Sequence, residues 1–144
     1  MHLKSTLFIG LGGTGAQSII QLKRKYIENY GEVPPMMAFL VFDTDQNIQQ
    51  HEVKAKNGET IGLDNDEFVQ ISVQNPKETY KQNRNTTFSW FPDELRGQLA
   101  GPVKDGAGQI RAIGRFASMS NAPRINRAIT NLIQIITDNS IAQN

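Results

Sequence analysis

The apolar positions in the first third of the chain follow two different spacings. Residues 6–10, T-L-F-I-G, form a short continuous apolar run, which is typical of a strand buried on both faces. From Ala16 to Tyr30 the apolar residues recur at helical spacing, which predicts an amphipathic helix that ends at Gly31. Residues 37–42, M-A-F-L-V-F, predict a second buried strand. Because a connection this long joins parallel strands, the pattern predicts a parallel pair linked by a helix.

The middle of the chain has a weaker pattern than its two ends. We predict a short helix over residues 45–50, a strand within residues 67–73, and another short helix over residues 76–82. The last third predicts a helix over residues 110–119 and a longer one from Pro123, because proline suits a first helical position. Together the elements predict an α/β fold with a parallel sheet flanked by helices.

Composition narrows the possible function classes. The 144 residues are enough for one domain, residues 1–144, and a net charge of +1 argues against nucleic-acid binding held by charge. The absence of cysteine excludes disulfides, zinc ribbons, iron–sulfur clusters and thiol catalysis. The longest apolar run, residues 36–42, is too short to cross a bilayer. We therefore expect a cytoplasmic protein without membrane or nucleic-acid partners.

A glycine run, G-L-G-G-T-G at residues 10–15, lies between the first strand and the first helix. Glycine lets the backbone approach a phosphate closely, and a helix N-terminus offers unpaired N–H groups and a positive dipole end. Gly10, Gly12 and Gly15 match G-x-G-x-x-G in this strand–helix context. The alternative interpretation is a tight turn without a ligand. The chain contains no Gly-Lys dipeptide, which excludes a Walker A loop.

Two aspartates, Asp43 and Asp45, follow the second strand. They lie at the carboxyl end of that strand, the edge where open α/β sheets bind ligands. In a dinucleotide-binding fold, one acid there binds the ribose hydroxyls. The alternative is a helix cap for the residues that follow.

A second glycine stretch, residues 106–108, precedes the helix that carries Arg111 and Arg115. These arginines are one helical turn apart, and residues 106–144 contain four arginines and one acid. A flexible loop followed by two arginines suits an anionic ligand. The alternative is a solvated basic helix face.

The order G-L-G-G-T-G, F-L-V-F-D-T-D, G-A-G-Q-I-R-A-I-G-R resembles the tubulin/FtsZ GTPase superfamily, most closely its divergent bacterial tubulin-like branch. The resemblance implies the amino-terminal part of a longer, Rossmann-like GTPase domain, so that the chain is a truncated tubulin/FtsZ-type domain. It also implies three nucleotide-binding loops. The matching residues are Gly10, Gly12, Gly13, Thr14 and Gly15 in the first loop, Asp43, Thr44 and Asp45 in the second, and Gly106, Ala107 and Gly108 with Gly114 and Arg115 in the third.

The resemblance further implies GTP or GDP as the ligand, with Mg²⁺ between phosphate oxygens, and self-association into an oligomer or filament. In FtsZ-type proteins, acids from a neighbouring subunit complete hydrolysis, and the loop that carries them has no match here. We therefore expect that the chain does not turn over nucleotide alone. Two other hypotheses remain open: an NAD- or FAD-binding Rossmann domain of an oxidoreductase, and a structural assembly module without a ligand.

Overall fold

The computed structural model describes residues 4–142, which form a three-stranded sheet, a small hairpin and four α-helices. The strands are β1 Thr6–Leu11, β2 Met37–Asp43, β3 Glu52–Lys54, β4 Thr60–Gly62 and β5 Phe68–Gln70. The α-helices are α1 Gly12–Tyr30, α2 Pro76–Asn83, α3 Arg111–Ser120 and α4 Ala122–Ala142. Two 3-10 helices cover Gln46–Gln50 and Asp93–Ala100.

The three-stranded sheet has the order β1–β2–β5 and is parallel throughout. Thr6 pairs with Met37 at one end of the β1–β2 ladder, and Val41 pairs with Phe68 where β5 begins. The predicted parallel pair linked by α1 is therefore confirmed. The sheet is flanked by helices, which confirms the predicted α/β class.

The first strand is not buried on both faces, contrary to the prediction. Within residues 4–142, β1 pairs only with β2, so it is an edge strand. Gly10 alone is buried in β1, whereas Ile9 is 45% and Leu11 71% exposed. The second strand fits its prediction, because Phe39–Phe42 are all buried in the middle of the sheet.

Side chains of β2 alternate between two apolar clusters, one on each face of the sheet. Phe39 and Val41 pack with the buried residues of α1, including Ile20. Leu40 and Phe42 belong to the other cluster. That cluster includes the buried side chains Ile71, Val73, Phe88, Phe91, Leu99, Val103, Ile113, Phe116 and Leu132. The period of two along a strand produces this division.

The helix starts differ from the predictions by one to four residues. α1 begins at Gly12 rather than at Ala16, so part of the glycine run is helical, and its C-cap is the predicted Gly31 with φ +83°. α3 begins at Arg111, one residue later than predicted, and α4 begins at Ala122, one residue earlier than predicted. None of the helices within residues 4–142 is long and apolar enough to span a membrane.

The middle of the chain contains a hairpin that the apolar pattern did not predict. Strands β3 and β4 have three residues each and are mostly polar and exposed, too short for an alternating pattern to be visible. The predicted strand within residues 67–73 is shorter, β5, followed by a single bridge between Val73 and Val103. Helix α2 confirms the prediction for residues 76–82 within one residue.

Candidate functional site

A cleft of about 840 Å³ opens at the carboxyl ends of β1 and β2. Three separate segments line it: the β1–α1 turn, the end of β2, and the loop that leads into α3. Of the residues singled out in the sequence, those that line the cleft are Gly12, Gly13, Asp43, Thr44, Gly106, Ala107, Gly108, Arg111, Gly114 and Arg115. Segments almost a hundred residues apart in the sequence therefore form one concave surface.

Gly10 and Gly15 do not line this cleft but pack against each other. A Cβ on Gly10 would lie 2.7 Å from the carbonyl oxygen of Gly15, and a Cβ on Gly15 would lie 2.8 Å from the carbonyl carbon of Gly10. Only glycine allows the backbone of β1 to approach the first turn of α1 this closely. These two glycines set the distance between strand and helix.

The start of α1 has no side-chain cap within the described residues. Gly12 has φ +72°, a conformation that favours glycine. The N-cap residue Leu11 makes no side-chain cap bond, and the first turn contains no acid. The first N–H groups and the positive end of the helix dipole therefore remain available to an anion beside the cleft.

Thr14 is exposed and lines a neighbouring groove of about 720 Å³ between α1 and β3, together with His51 and Glu52. Its carbonyl accepts a hydrogen bond from Ser18 Oγ at 3.0 Å. Thr14 therefore lies beside the first loop but outside the surface that the three segments share.

The two aspartates after β2 have different surroundings. Asp45 Oδ1 accepts a hydrogen bond from Asn47 N at 2.9 Å and so caps the 3-10 helix, which confirms the cap interpretation for this residue. Asp43 lines the cleft, and its Oδ1 accepts hydrogen bonds from Asp45 N at 2.9 Å and from the Thr44 hydroxyl at 3.4 Å. Asp43 Oδ2 lies 3.9 Å from where a Cβ on Gly12 would be.

The third segment is a turn that needs left-handed backbone at three positions. Gly106 has φ +101°, Gly108 has φ +58°, and Gln109 has φ +60°. This turn leads directly into α3, whose N-cap residue, Ile110, makes no side-chain cap bond and whose first turn has no acid. A second uncapped helix N-terminus therefore begins at the cleft.

Arg111 and Arg115 are both exposed and line the cleft. Within residues 4–142, neither forms an ion pair with a carboxylate. The guanidinium carbon of Arg115 lies 4.1 Å from the ring centroid of Trp90, which is a cation–π contact. Both arginines therefore lack a carboxylate partner within the described residues, although Asp43 and Asp105 line the same cleft.

Gln70 connects the second and third segments, and sequence reasoning missed it. Its Nε2 donates a hydrogen bond to the Thr44 carbonyl at 2.9 Å and, more weakly, to the Lys104 carbonyl at 3.4 Å. Its own carbonyl accepts from Arg124 Nη1 at 2.8 Å. No local signal marks this residue, because every one of its partners is at least 26 residues away along the chain.

A buried ion cluster lies away from the cleft, where α1 meets the hairpin. Lys23 Nζ lies 2.8 Å from Asp64 Oδ2, 2.7 Å from Glu67 Oε2 and 3.1 Å from the Gly62 carbonyl. Burial alone would lower the pKa of Lys23, but its hydrogen bonds with Asp64 and Glu67 outweigh that effect and raise it above 10.5. The cluster connects α1 to the segment before β5 and has a structural role.

The three segments that line the cleft follow one another along the chain in the order of the three loops that the tubulin/FtsZ resemblance implies. A family model described as "Tubulin like" matches residues 7–144, which include all three segments. This chain belongs to the tubulin-like family. The match confirms the resemblance to the extent of the tubulin-like family, and the α/β architecture agrees with it. No curated protein and no solved structure matches the chain.

Proposed function

We propose that this tubulin-like chain is a single nucleotide-binding domain that holds GTP or GDP in the cleft. The observation that carries the proposal is the meeting of two helix N-termini that have no side-chain cap with two arginines that form no ion pair within the described residues, Arg111 and Arg115, on one concave surface. Backbone N–H groups and helix dipoles favour phosphate, and arginine adds charge-assisted hydrogen bonds. A polyphosphate is the ligand that suits this set of groups.

Within the proposed site the glycines and the acids have different roles. Gly12 and Gly13 would bring backbone N–H groups of the first turn against phosphate oxygens, and Gly106 and Gly108 would do the same from the third segment. The choice of guanine over adenine rests on the family, since the preference for GTP is what the tubulin/FtsZ resemblance implies.

The carboxylate of Asp43 fits a Mg²⁺ ion held mainly by the ligand. Its Oδ1 is occupied by two hydrogen bonds, whereas no hydrogen bond to Oδ2 is found within residues 4–142. No cluster of three or more acidic or histidine side chains occurs in that part of the chain. This suits Mg²⁺, which usually takes one or two carboxylates and completes its shell with phosphate oxygens and water.

We also propose self-association, which the tubulin-like family favours. The free edge of β1 exposes Ile9 and Leu11, and Ile133 and Ile135 of α4 are 48% and 51% exposed. Apolar side chains beside an unpaired strand edge promote association. Light scattering at tens of micromolar, an order of magnitude at which weak association is populated, should show a dimer or larger species. A monomer under those conditions contradicts self-association and leaves the nucleotide proposal intact.

A thermal-shift series tests the nucleotide proposal. A ligand that binds only the folded state raises its stability by RT ln(1 + [L]/Kd). We expect GTP and GDP with Mg²⁺ to raise the melting temperature more than equal concentrations of ATP or NAD⁺. A shift with NAD⁺ alone would instead support an oxidoreductase domain, and no shift with any of the four would support an assembly module.

A further inference from the structure

Trp90 lies outside the cleft and reaches it through a single side chain, that of Arg115. The Arg115 guanidinium carbon lies 4.1 Å from the Trp90 ring centroid. Arg115 lines the cleft, whereas Trp90 is half-buried behind it and does not. The ring therefore contacts Arg115 without lining the cleft itself.

Two contacts besides the one with Arg115 hold the Trp90 ring in position. Its Nε1 donates a hydrogen bond to the Thr87 carbonyl at 2.9 Å. Its edge packs against Phe91, at a centroid distance of 5.6 Å, and Phe91 packs in turn against Phe116 at 5.7 Å. Phe116 is fully buried and follows Arg115 on α3. The segment of Trp90 and the helix of Arg115 are thus joined through the core as well as at the surface.

A second arginine in the chain shows what is unusual about Arg115. Arg96 lies 5.5 Å from the ring centroid of Tyr80, but it also pairs with Asp93 and donates a hydrogen bond to the Tyr80 hydroxyl. Its charge and donors are therefore already used. Arg115 has the aromatic contact without a carboxylate, and a cation–π contact leaves the N–H donors at the rim of the guanidinium unused.

We propose that Trp90 is a positioning residue of the nucleotide site, which holds Arg115 beside the cleft with its charge and donors free for a phosphate group. The proposal deepens the proposed function and rests on it. Arginine otherwise loses considerable side-chain freedom when it binds a ligand. A ring that already restricts Arg115 lowers that entropic cost, whereas a carboxylate partner would have to be displaced first.

A double-mutant cycle on GTP affinity tests the proposal by titration calorimetry. Trp90→Leu should weaken GTP binding by about threefold to fivefold, the size expected for a partly exposed cation–π contact. Trp90→Phe keeps an aromatic face and should lose less. In an Arg115→Ala background, Trp90→Leu should cause no further loss. Arg96→Ala is the matched control, because it removes an arginine that also has an aromatic contact but does not line the cleft, and it should leave GTP affinity unchanged.

The chain contains one tryptophan, so its fluorescence reports on Trp90 directly. Saturating GTP should change the emission of the wild type but not that of Arg115→Ala, and this readout remains if Trp90→Leu does not fold. Equal emission changes in both proteins overturn the proposal. The proposal is also overturned if the double variant loses GTP affinity by the product of the two single losses, because Trp90 and Arg115 then act independently. In that case GTP binding by the wild type still supports the proposed function. A wild type that binds no GTP contradicts both.

Discussion

The two pairs of glycines at the start of α1 have different roles, although the pairs lie within six residues of each other. Gly10 and Gly15 are in contact, and a Cβ on either would lie within 2.8 Å of the other's backbone. Gly12 and Gly13 line the cleft, and the nearest atoms to a Cβ on them are side-chain atoms at 3.9 and 3.4 Å. The first pair holds the helix against the sheet, and the second leaves room for a ligand.

The largest effect should come from the packing pair. In Gly15→Ala the new methyl group meets the backbone of Gly10, which cannot move without separating α1 from β1. Overpacking typically costs 1–3 kcal/mol, and a backbone collision belongs at the upper end, so we expect a loss of about 3 kcal/mol or more in the free energy of unfolding. Urea denaturation measures it. Gly97→Ala is the control, because nothing lies within 4 Å of its Cβ position. Equal stability of the two variants would refute the packing role.

The buried ion cluster behind α1 should also affect stability without affecting the cleft. Lys23→Met leaves Glu67 buried without its cation, and breaking such a pair typically costs about 3–5 kcal/mol. We expect a loss near the lower figure, because Asp64 is mostly exposed. GTP affinity at a temperature where the variant is folded should not change. If Lys23→Met is as stable as the wild type, the free-energy cost of burying the ions cancels the gain from their attraction.

The same cluster has a defined pH dependence. The pKa of Lys23 is raised above 10.5 in the folded state, so its contribution to stability is fully present below 10.5. That contribution is lost as the pH rises through the raised value. The stability difference between wild type and Lys23→Met should therefore shrink in strongly alkaline solution. A constant difference across that range would contradict the assignment.

The cleft pair should show a different behaviour, a loss of GTP binding together with a smaller loss of stability than that of the packing pair. Gly12→Ala introduces a methyl group beside Asp43 and strains a left-handed residue, at a cost of about 1–2 kcal/mol in stability. Gly58→Ala is the matched control, because it has φ +87° and open space around it in the β3–β4 turn. Both should lose similar stability, but only Gly12→Ala should lose GTP affinity, by about tenfold. Equal affinities would remove Gly12 from the site.

The smallest predicted effect on stability concerns the arginines. Arg115→Ala should weaken GTP binding by about tenfold, equivalent to about 1.4 kcal/mol, with little change in stability. Arg111→Ala should weaken it less, because no aromatic ring holds Arg111 within the described part of the chain. Titration calorimetry on both variants decides the order. If Arg115→Ala binds GTP as tightly as the wild type, the site consists of the first two segments alone.

The sequence predicted the strands and helices better than it predicted the roles of individual residues. Helical periodicity identified α1 and a continuous apolar run identified β2, whereas the polar β3–β4 hairpin had too few apolar positions to be recognised. The apolar pattern also could not show that β1 is an edge strand, because the residues of β1 resemble those of a central strand. Exposure depends on the neighbours of a strand, and these are set by tertiary structure.

The candidate site was predicted in outline through its three motifs, but not in detail. Identical glycines gave no sign that Gly10 and Gly15 pack together while Gly12 faces the cleft, since this depends on backbone approach in three dimensions. Gln70 and Trp90 act through partners that are distant in the sequence or on another element. Such residues carry no motif, and only the folded arrangement identifies them.

The most direct test of the central claim is an amide NMR titration of the uniformly ¹⁵N-labelled chain with GTP and Mg²⁺. The backbone signals of Gly12, Gly106 and Gly108 should shift together, because all three line one cleft. The signals of Gly58 and Gly97, which lie outside that cleft, should stay in place. Shifts at the first loop without shifts at Gly106 and Gly108, or no shifts at all with saturating GTP, would contradict a nucleotide site built from three segments.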